Sequence, residues 1–274
     1  MLICDMHTHS NNSFDAKNSV DEMCAAALKR GVGVIAVTDH CEAPSIGLGE
    51  ECEFGCFDEL IPQSIRDAQA AKLKYDGELR VLTGLELGEP EHEPELTRRA
   101  LGYGEYDFVL ASVHNIRSFR DFYYLDFSSV KVDEVLKLYF DELIETALFP
   151  HFDSLAHITY PLRYIKSRLG FVPDLSPYSA QIDEIFKILI KNNKSLEINV
   201  SGLFKELGTT LPDFDLIKRY RELGGRLITI GTDAHSVDFV GRGIEQGIEV
   251  AKRAGFGEYA YYIAHEPIMI QFSD

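Results

Sequence analysis

Short apolar runs alternate with amphipathic stretches along most of this chain. The runs are "MLICDMH", "GVIAVTDH", "LRVLTGLE", "FVLASVH", "FDSLAHI", "SLEINVSG" and "RLITIGTDAH". Each is about strand length, rich in Val, Ile and Leu, and nearly continuous in hydrophobicity. That pattern marks strands covered on both faces, as in a parallel sheet. Between the runs, helical periodicity covers 19–30, 56–75, 132–148, 176–192 and 213–223. Two of these segments carry start signals. Ser19 stands three residues before Glu22, a capping box, and Asp213 precedes a helix that stops at Gly224 and Gly225. Seven strand–helix units with no Ser/Gly/Pro-rich linker predict one domain over 1–274, closed as a (β/α) barrel. Residues 41–57 read as a long loop, a candidate lid or substrate wall. The stretch "EYAYYIAHEPIMIQFS" reads as one more strand-like element, with Pro267 inside it.

The polar residues fall at the ends of the runs. The first run closes on His7 and His9, the second on His40, the third on Glu86 and the fourth on His114. The fifth closes on His157 and the seventh on Asp233 and His235. In a (β/α) barrel all strand C-termini share one rim, so these residues converge there. A single histidine at a strand end is more often a hydrogen-bonded structural residue, and only the coincidence of eight such positions points to metal. "HTH" and "DAH" place two side chains on one face of a strand, because residues two apart point the same way. Imidazole with carboxylate suits zinc, manganese or iron. The set exceeds what one ion needs, so two or three are implied, with Glu86 as the bridge. Asp15 reads on its own as a turn residue. His92, His151 and His265 lie off the strand-end pattern and are assigned no metal. Cys52 and Cys56 lack a second Cys/His pair, which argues against a zinc ribbon.

Composition narrows the partners. Asp and Glu number 44 against 27 Lys and Arg, so most of the surface repels nucleic acid and anionic membranes. A small anionic substrate is still admitted, because bound cations invert the local field. The five cysteines are odd in number and scattered, as in a reduced cytoplasmic protein. No apolar run approaches the ~18 residues of a membrane span, and no signal peptide is evident. The oligomeric state is not readable.

The ordered motifs "DMHTHS", "SFD", "TDH", "GLELGE", "SVH", "SLAHI", "LEINVSG" and "GTDAHS", spread over residues 5 to 236, resemble the polymerase and histidinol phosphatase (PHP) superfamily. The "LEINVSG" stretch and the length look most like its stand-alone histidinol-phosphatase branch. The resemblance implies a distorted (β/α)7 barrel with three divalent ions (Zn, Mn or Fe) at the C-terminal rim. It implies His7, His9, Glu86 and Asp233 for the first ion. Glu86, His114 and His157 would take the second, and Asp15, His40 and His235 the third. It thereby raises Asp15 from turn residue to ligand. It also places Asn199 and Ser201 against the substrate. One departure is Asn115 in "SVHNI", where an aromatic residue is expected. The implied reaction is hydrolysis of L-histidinol phosphate, a small phosphorylated substrate, by a metal-bridging hydroxide.

Two arginines follow the ligand positions closely. Arg117 comes just after His114 and Arg163 just after His157, and a guanidinium fork matches phosphate oxygens. The alternative for each is a surface salt bridge. Glu42, two residues after His40, suits the amine or imidazole of the substrate, or is an ordinary loop charge. Asp233, His235 or a metal-bound water would protonate the leaving alkoxide, and the sequence does not choose. Three other readings compete. A PHP-type nuclease or nucleotide phosphoesterase is disfavoured for polymers by the acidity. A non-catalytic metal-binding regulatory module would show lost ligands, and none is missing. An amidohydrolase also uses "HxH" on its first strand, but the late "DAH" fits it less well.

Overall fold

The computed structural model describes residues 1–42, 57–117 and 119–272. Its strands are β1 (Cys4–Thr8), β2 (Val34–Val37), β3 (His40–Glu42), β4 (Arg80–Gly88), β5 (Phe108–Ser112), β6 (Ser154–Leu155), β7 (Ser195–Asn199) and β8 (Ile228–Gly231). They pair in parallel in the order β1-β2-β4-β5-β6-β7-β8. The second apolar run breaks at Thr38 and Asp39, and β3 resumes beyond the break to pair with β4. The two edges meet. The Asp233 amide donates to the His7 carbonyl at 2.8 Å and the His9 amide to the Ala234 carbonyl at 2.9 Å. The result is a seven-stave barrel, as the pattern predicts. Every residue of β1, β2, β5, β7 and β8 is buried, which is why these strands show no polar alternation.

The covering helices are α1 (Val20–Lys29), α2 (Phe57–Lys74), α3 (Pro94–Leu101), α4 (Val132–Leu148), α5 (Pro161–Leu169), α6 (Ser179–Lys191), α7 (Phe214–Glu222) and α8 (Ile244–Arg253). The capping box forms as expected: the Glu22 amide donates to the Ser19 hydroxyl and the Ser19 amide to the Glu22 carboxylate. Asp213 caps α7 by accepting from the Leu216 amide at 3.1 Å. Helices α3, α5 and α8 were not expected from periodicity. None of the helices among the described residues is long and apolar enough to cross a membrane.

The tail is two strands, not one. β9 (Glu258–Ile263) and β10 (Glu266–Gln271) form an antiparallel hairpin across the N-terminal end of the barrel. Tyr259 Oη accepts from the Cys4 amide at 3.2 Å and donates to the Leu2 carbonyl at 2.8 Å. Tyr262 Oη pairs with Ser195 Oγ at 2.8 Å. The His265 amide donates to the Asp107 carbonyl, and its Nδ1 lies 2.9 Å from Asp153 Oδ2. These contacts reach the starts of β1, β7, β5 and β6, so the hairpin floors the barrel. Of the expected 41–57 loop, Cys41 and Glu42 belong to β3. Residues 43–56, with Cys52 and Cys56, lie outside the described residues, and so does any reading of them as a lid.

Candidate metal centre

The rim opposite the hairpin gathers the strand-end residues. His7 sits within β1 and His9 just past it. His40 opens β3 and stands in register beside Glu86 of β4. His114, His157 and Asp233 each come two residues after their strands end, and His235 follows Asp233 by two.

Glu86 is fully buried at the centre. Its Oε1 lies 3.0 Å from His157 Nε2 and 3.3 Å from His114 Nε2. Its Oε2 lies 3.0 Å from His40 Nδ1, 3.3 Å from His7 Nε2 and 3.5 Å from His9 Nε2. One carboxylate therefore faces five imidazoles. Asp233 Oδ1 approaches His9 Nε2 at 3.4 Å and His7 Nε2 at 3.8 Å. Asp15 closes the outer side, 3.1 Å from His235 Nε2 and 3.7 Å from His40 Nε2.

The outer ring nitrogens explain the inward direction of the others. His7 Nδ1 is 2.7 Å from Glu197 Oε1, and His235 Nδ1 donates to the Asp233 carbonyl at 2.9 Å. His114 Nδ1 is 3.1 Å from Glu42 Oε1. Ser13 Oγ donates to Asp39 Oδ1, so it accepts from His9 Nδ1 at 3.3 Å. With Nδ1 held by oxygen, Nε2 of His7, His9, His114 and His235 presents its lone pair to the centre, the usual setting of a metal-ligating histidine. The tautomers follow from these partners.

Four inward atoms are buried without a hydrogen-bond partner: Nε2 of His7 and His9, Nδ1 of His40 and Oε2 of Glu86. The nitrogens among them stand 3.0–3.8 Å from carboxylate oxygens without forming a hydrogen bond. Orphaned buried polar atoms are costly, and this many around one carboxylate fit divalent cations of the type bound by imidazole and carboxylate. Ligand atoms that fall within 4.8 Å of one another group as His7, His9 and Asp233; His7, Glu86 and His157; His9, His40 and His235; and His40, Glu42 and His114.

Electrostatics agree. Burial pushes the Glu86 carboxyl up, but the imidazoles of His7, His114 and His40 outweigh it and hold it well below the usual carboxylate range. Burial likewise pushes Asp233 up, and His9, His7, His235 and Arg163 hold it well below. Burial lowers the His9 imidazole to about 3, with His235 and His40 adding to the effect. Burial also works against protonated His7 and His114, yet Glu197 and Glu86 around one and Glu42 and Glu86 around the other hold both well above the ordinary value. Cations taken up here displace those protons. The backbone carries strain at the same place: His157 and Asp233 have φ of 31° and 54°, which is costly without glycine.

A cleft of about 750 Å³ opens over this centre. Asp15, His40, Glu42, His114, Asp233, His235, Arg163 and Ser201 line it. Arg163 is buried, donates to Ser201 Oγ at 2.6 Å and lies 3.3 Å from Asp233 Oδ2. Glu42 lines the cleft but is spent on the centre, 3.1 Å from His40 Nδ1 and from His114 Nδ1, and these hold its carboxyl at about 2 against burial. Two sequence expectations place differently. Arg117 lies outside the cleft, half exposed, with its guanidinium 2.8 Å from Glu145 on α4. Asn199 is buried behind the cleft wall, where Oδ1 accepts from the Ser201 amide and hydroxyl.

Sequence reasoning missed Glu197. It is fully buried, takes His7 Nδ1 on one oxygen and the His157 amide at 3.0 Å on the other. Its signal was present: a carboxylate inside an apolar strand, two residues before Asn199 and so on the same face. His92 also has an unexpected setting, 2.6 Å from Glu142 Oε2 beside Glu91, a second group of ligand type away from the cleft.

Gly231 shows how tightly the centre is supported. A Cβ there would lie 2.4 Å from the His7 Cβ and 2.6 Å from Glu197 Oε1. Gly231→Ala is expected to cost roughly 1–3 kcal/mol of stability by overpacking. It should also lower metal content, because it pushes His7 off its carboxylate. Thermal denaturation and elemental analysis of the purified variant check both.

Comparison with known proteins gives consistent matches. A family model described as PHP domain matches residues 5–201. A probable histidinol-phosphatase of Thermotoga maritima is 30% identical over 253 residues, covering 92% of each chain. The histidinol-phosphatase of Lactococcus lactis subsp. lactis is 26% identical over 264 residues, covering 94% of this chain and 93% of its own. The crystal structure of the histidinol phosphate phosphatase of that organism, complexed with zinc, L-histidinol and phosphate, superposes with a TM-score of 0.78. It does so at 22% identity, over 97% of this chain and 98% of its own.

Proposed function

The chain belongs to the PHP domain family, and from that premise we propose that it is a metal-dependent phosphomonoesterase whose substrate is L-histidinol phosphate, the activity for which its relatives are named. The observation that carries this reading is the ring of inward-facing nitrogens around buried Glu86, open to a cleft that also holds a buried arginine.

His7, His9, Glu86 and Asp233 would hold a first divalent ion. Glu86, His114 and His157 would hold a second, and Asp15, His40 and His235 a third. Zinc, manganese and iron all suit these donors. Bound there, such cations supply an activated water at neutral pH and offset the charge of a phosphate ester. The chain's own groups do the rest. Glu197 and Asp39, acting through Ser13, fix the rings of His7 and His9. Ser201 and Asp233 hold the Arg163 guanidinium beside the cleft, aimed to receive phosphoryl oxygens. The Asp233 carbonyl occupies His235 Nδ1, which leaves Nε2 as a ligand atom and argues against His235 as the leaving-group acid. The broad acidity disfavours a polymeric nucleic acid.

Phosphate release from histidinol phosphate, mononucleotides and short oligonucleotides, with metal analysis of the same sample, tests this. Histidinol phosphate should exceed the others in kcat/KM by ~10²-fold or more, the discrimination a built polar site achieves. Chelation should abolish the activity. Preference for a nucleotide or oligonucleotide would move the assignment to a phosphoesterase or nuclease of the same fold.

A further inference from the structure

The cleft has a second charged pole that the metal chemistry does not use. Asp121 lines it. Both of its hydrogen bonds fall on one oxygen: Oδ1 accepts from the Tyr123 amide at 2.6 Å and from Tyr160 Oη at 3.3 Å. Among the described residues no hydrogen bond or ion pair falls on Oδ2; burial pushes the carboxyl up, and the His114 imidazole opposes that. Tyrosines adjoin Asp121 and line the same cleft. Tyr164 Oη donates to Tyr160 Oη at 2.9 Å, and the Tyr123 ring packs edge-on to Tyr164 at 6.0 Å.

Tyr160 sets the spacing between the two poles. Its ring lies against the ligand imidazoles, 4.9 Å from His114 and 5.2 Å from His157, while its hydroxyl reaches Asp121. Arg163 sits over the same ring, 5.1 Å from its centre. One tyrosine length therefore separates a phosphate-type pole, made of the ligand cluster and Arg163, from a carboxylate with one oxygen unengaged. A carboxylate lining a cleft in this way can accept a charge-assisted hydrogen bond from an organic cation.

We propose that Asp121 is a specificity-determining residue that binds an ammonium group on the substrate. It would select phosphate esters that carry an amine a few bonds from the ester oxygen over neutral alkyl phosphates. This rests on the phosphomonoesterase reading above.

The test compares wild type and Asp121→Asn on L-histidinol phosphate and on its analogue with hydrogen in place of the amine. KM for the amino ester should rise about 10–100-fold in the variant, the loss of one hydrogen bond to a charged group. Kinetics on the analogue should stay unchanged, which also reports an intact fold. An unchanged KM for the amino ester, or an equal loss on both esters, overturns the assignment. If wild type hydrolyses neither ester, the phosphatase reading falls separately. Calorimetric binding of free histidinol then decides the Asp121 role: weaker binding to Asp121→Asn supports it and equal affinity overturns it.

Discussion

Glu86→Gln should leave a protein that folds but holds little metal and turns over substrate at least ~10³-fold more slowly, beyond the ~10²–10³ usual for losing a single electrostatic donor. Five imidazole nitrogens lie within 3.5 Å of the Glu86 oxygens. Glutamine keeps the shape but replaces one oxygen by an amide nitrogen, which donates protons and does not ligate. Loss of Oε1 strips the His114–His157 side of its carboxylate, and loss of Oε2 leaves Asp233 alone to serve the His7–His9 side. The remaining histidines are neutral donors and do not offset the charge of clustered cations. The effect is therefore on metal content first and on rate through it. Elemental analysis beside steady-state kinetics checks the order. A variant with full metal content and normal kcat would remove Glu86 from the bridging role. Glu86→Ala should behave alike, with an added cavity among the imidazoles.

Arg163→Ala is expected to act on the substrate instead. KM for the phosphate ester should rise ~10–100-fold, as for a charge-assisted contact worth roughly 1.5–3 kcal/mol, with metal content near normal. The hydrogen bonds of Arg163 go to Ser201 and one oxygen of Asp233, and its guanidinium lies over the rings of Tyr160 and Tyr164 rather than on a ligand imidazole. Asp233 keeps its other oxygen toward His7 and His9. Arg163→Lys should recover only part of the loss, because an ammonium does not reproduce a planar fork held by two partners. Kinetics with metal analysis separates this from a general collapse of the centre. An unchanged KM in the alanine variant would mean that the guanidinium serves Asp233 alone.

The barrel and its rim were legible because the two signals are geometric. Buried parallel strands write themselves as continuous apolar runs, and the fold places their C-termini together. Other features left weaker traces. Helices α3 and α5 open on Pro94 and Pro161, a usable start signal, and are amphipathic, but each is only about two turns long, too short for its pattern to stand out. The C-terminal hairpin was hidden because its turn is Ala264–His265, both at positive φ, where Asn or Gly would announce it. Arg117 shows the limit of proximity in sequence. It follows His114 by three residues, yet the chain has turned outward by then and Glu145 takes its guanidinium. Asn199 shows the limit of motif reading, since its side chain serves the backbone and hydroxyl of Ser201 behind the wall.

The barrel joins segments that lie far apart along the chain. The stave bearing His7 and His9 pairs with the segment bearing Asp233 and His235, and Tyr259 grips Leu2 and Cys4 from 255 or more positions away. During synthesis, β1 leaves the ribosome long before its neighbour β8 exists. Its partner on that side is missing until then. Such distant pairing slows folding, because the closure entropy is met before any contact repays it. Completion of the ligand set is thus among the last events in the life of the nascent chain, and a stalled or truncated product ending before residue 233 would carry seven of the nine expected ligands but lack Asp233, His235 and the closed barrel.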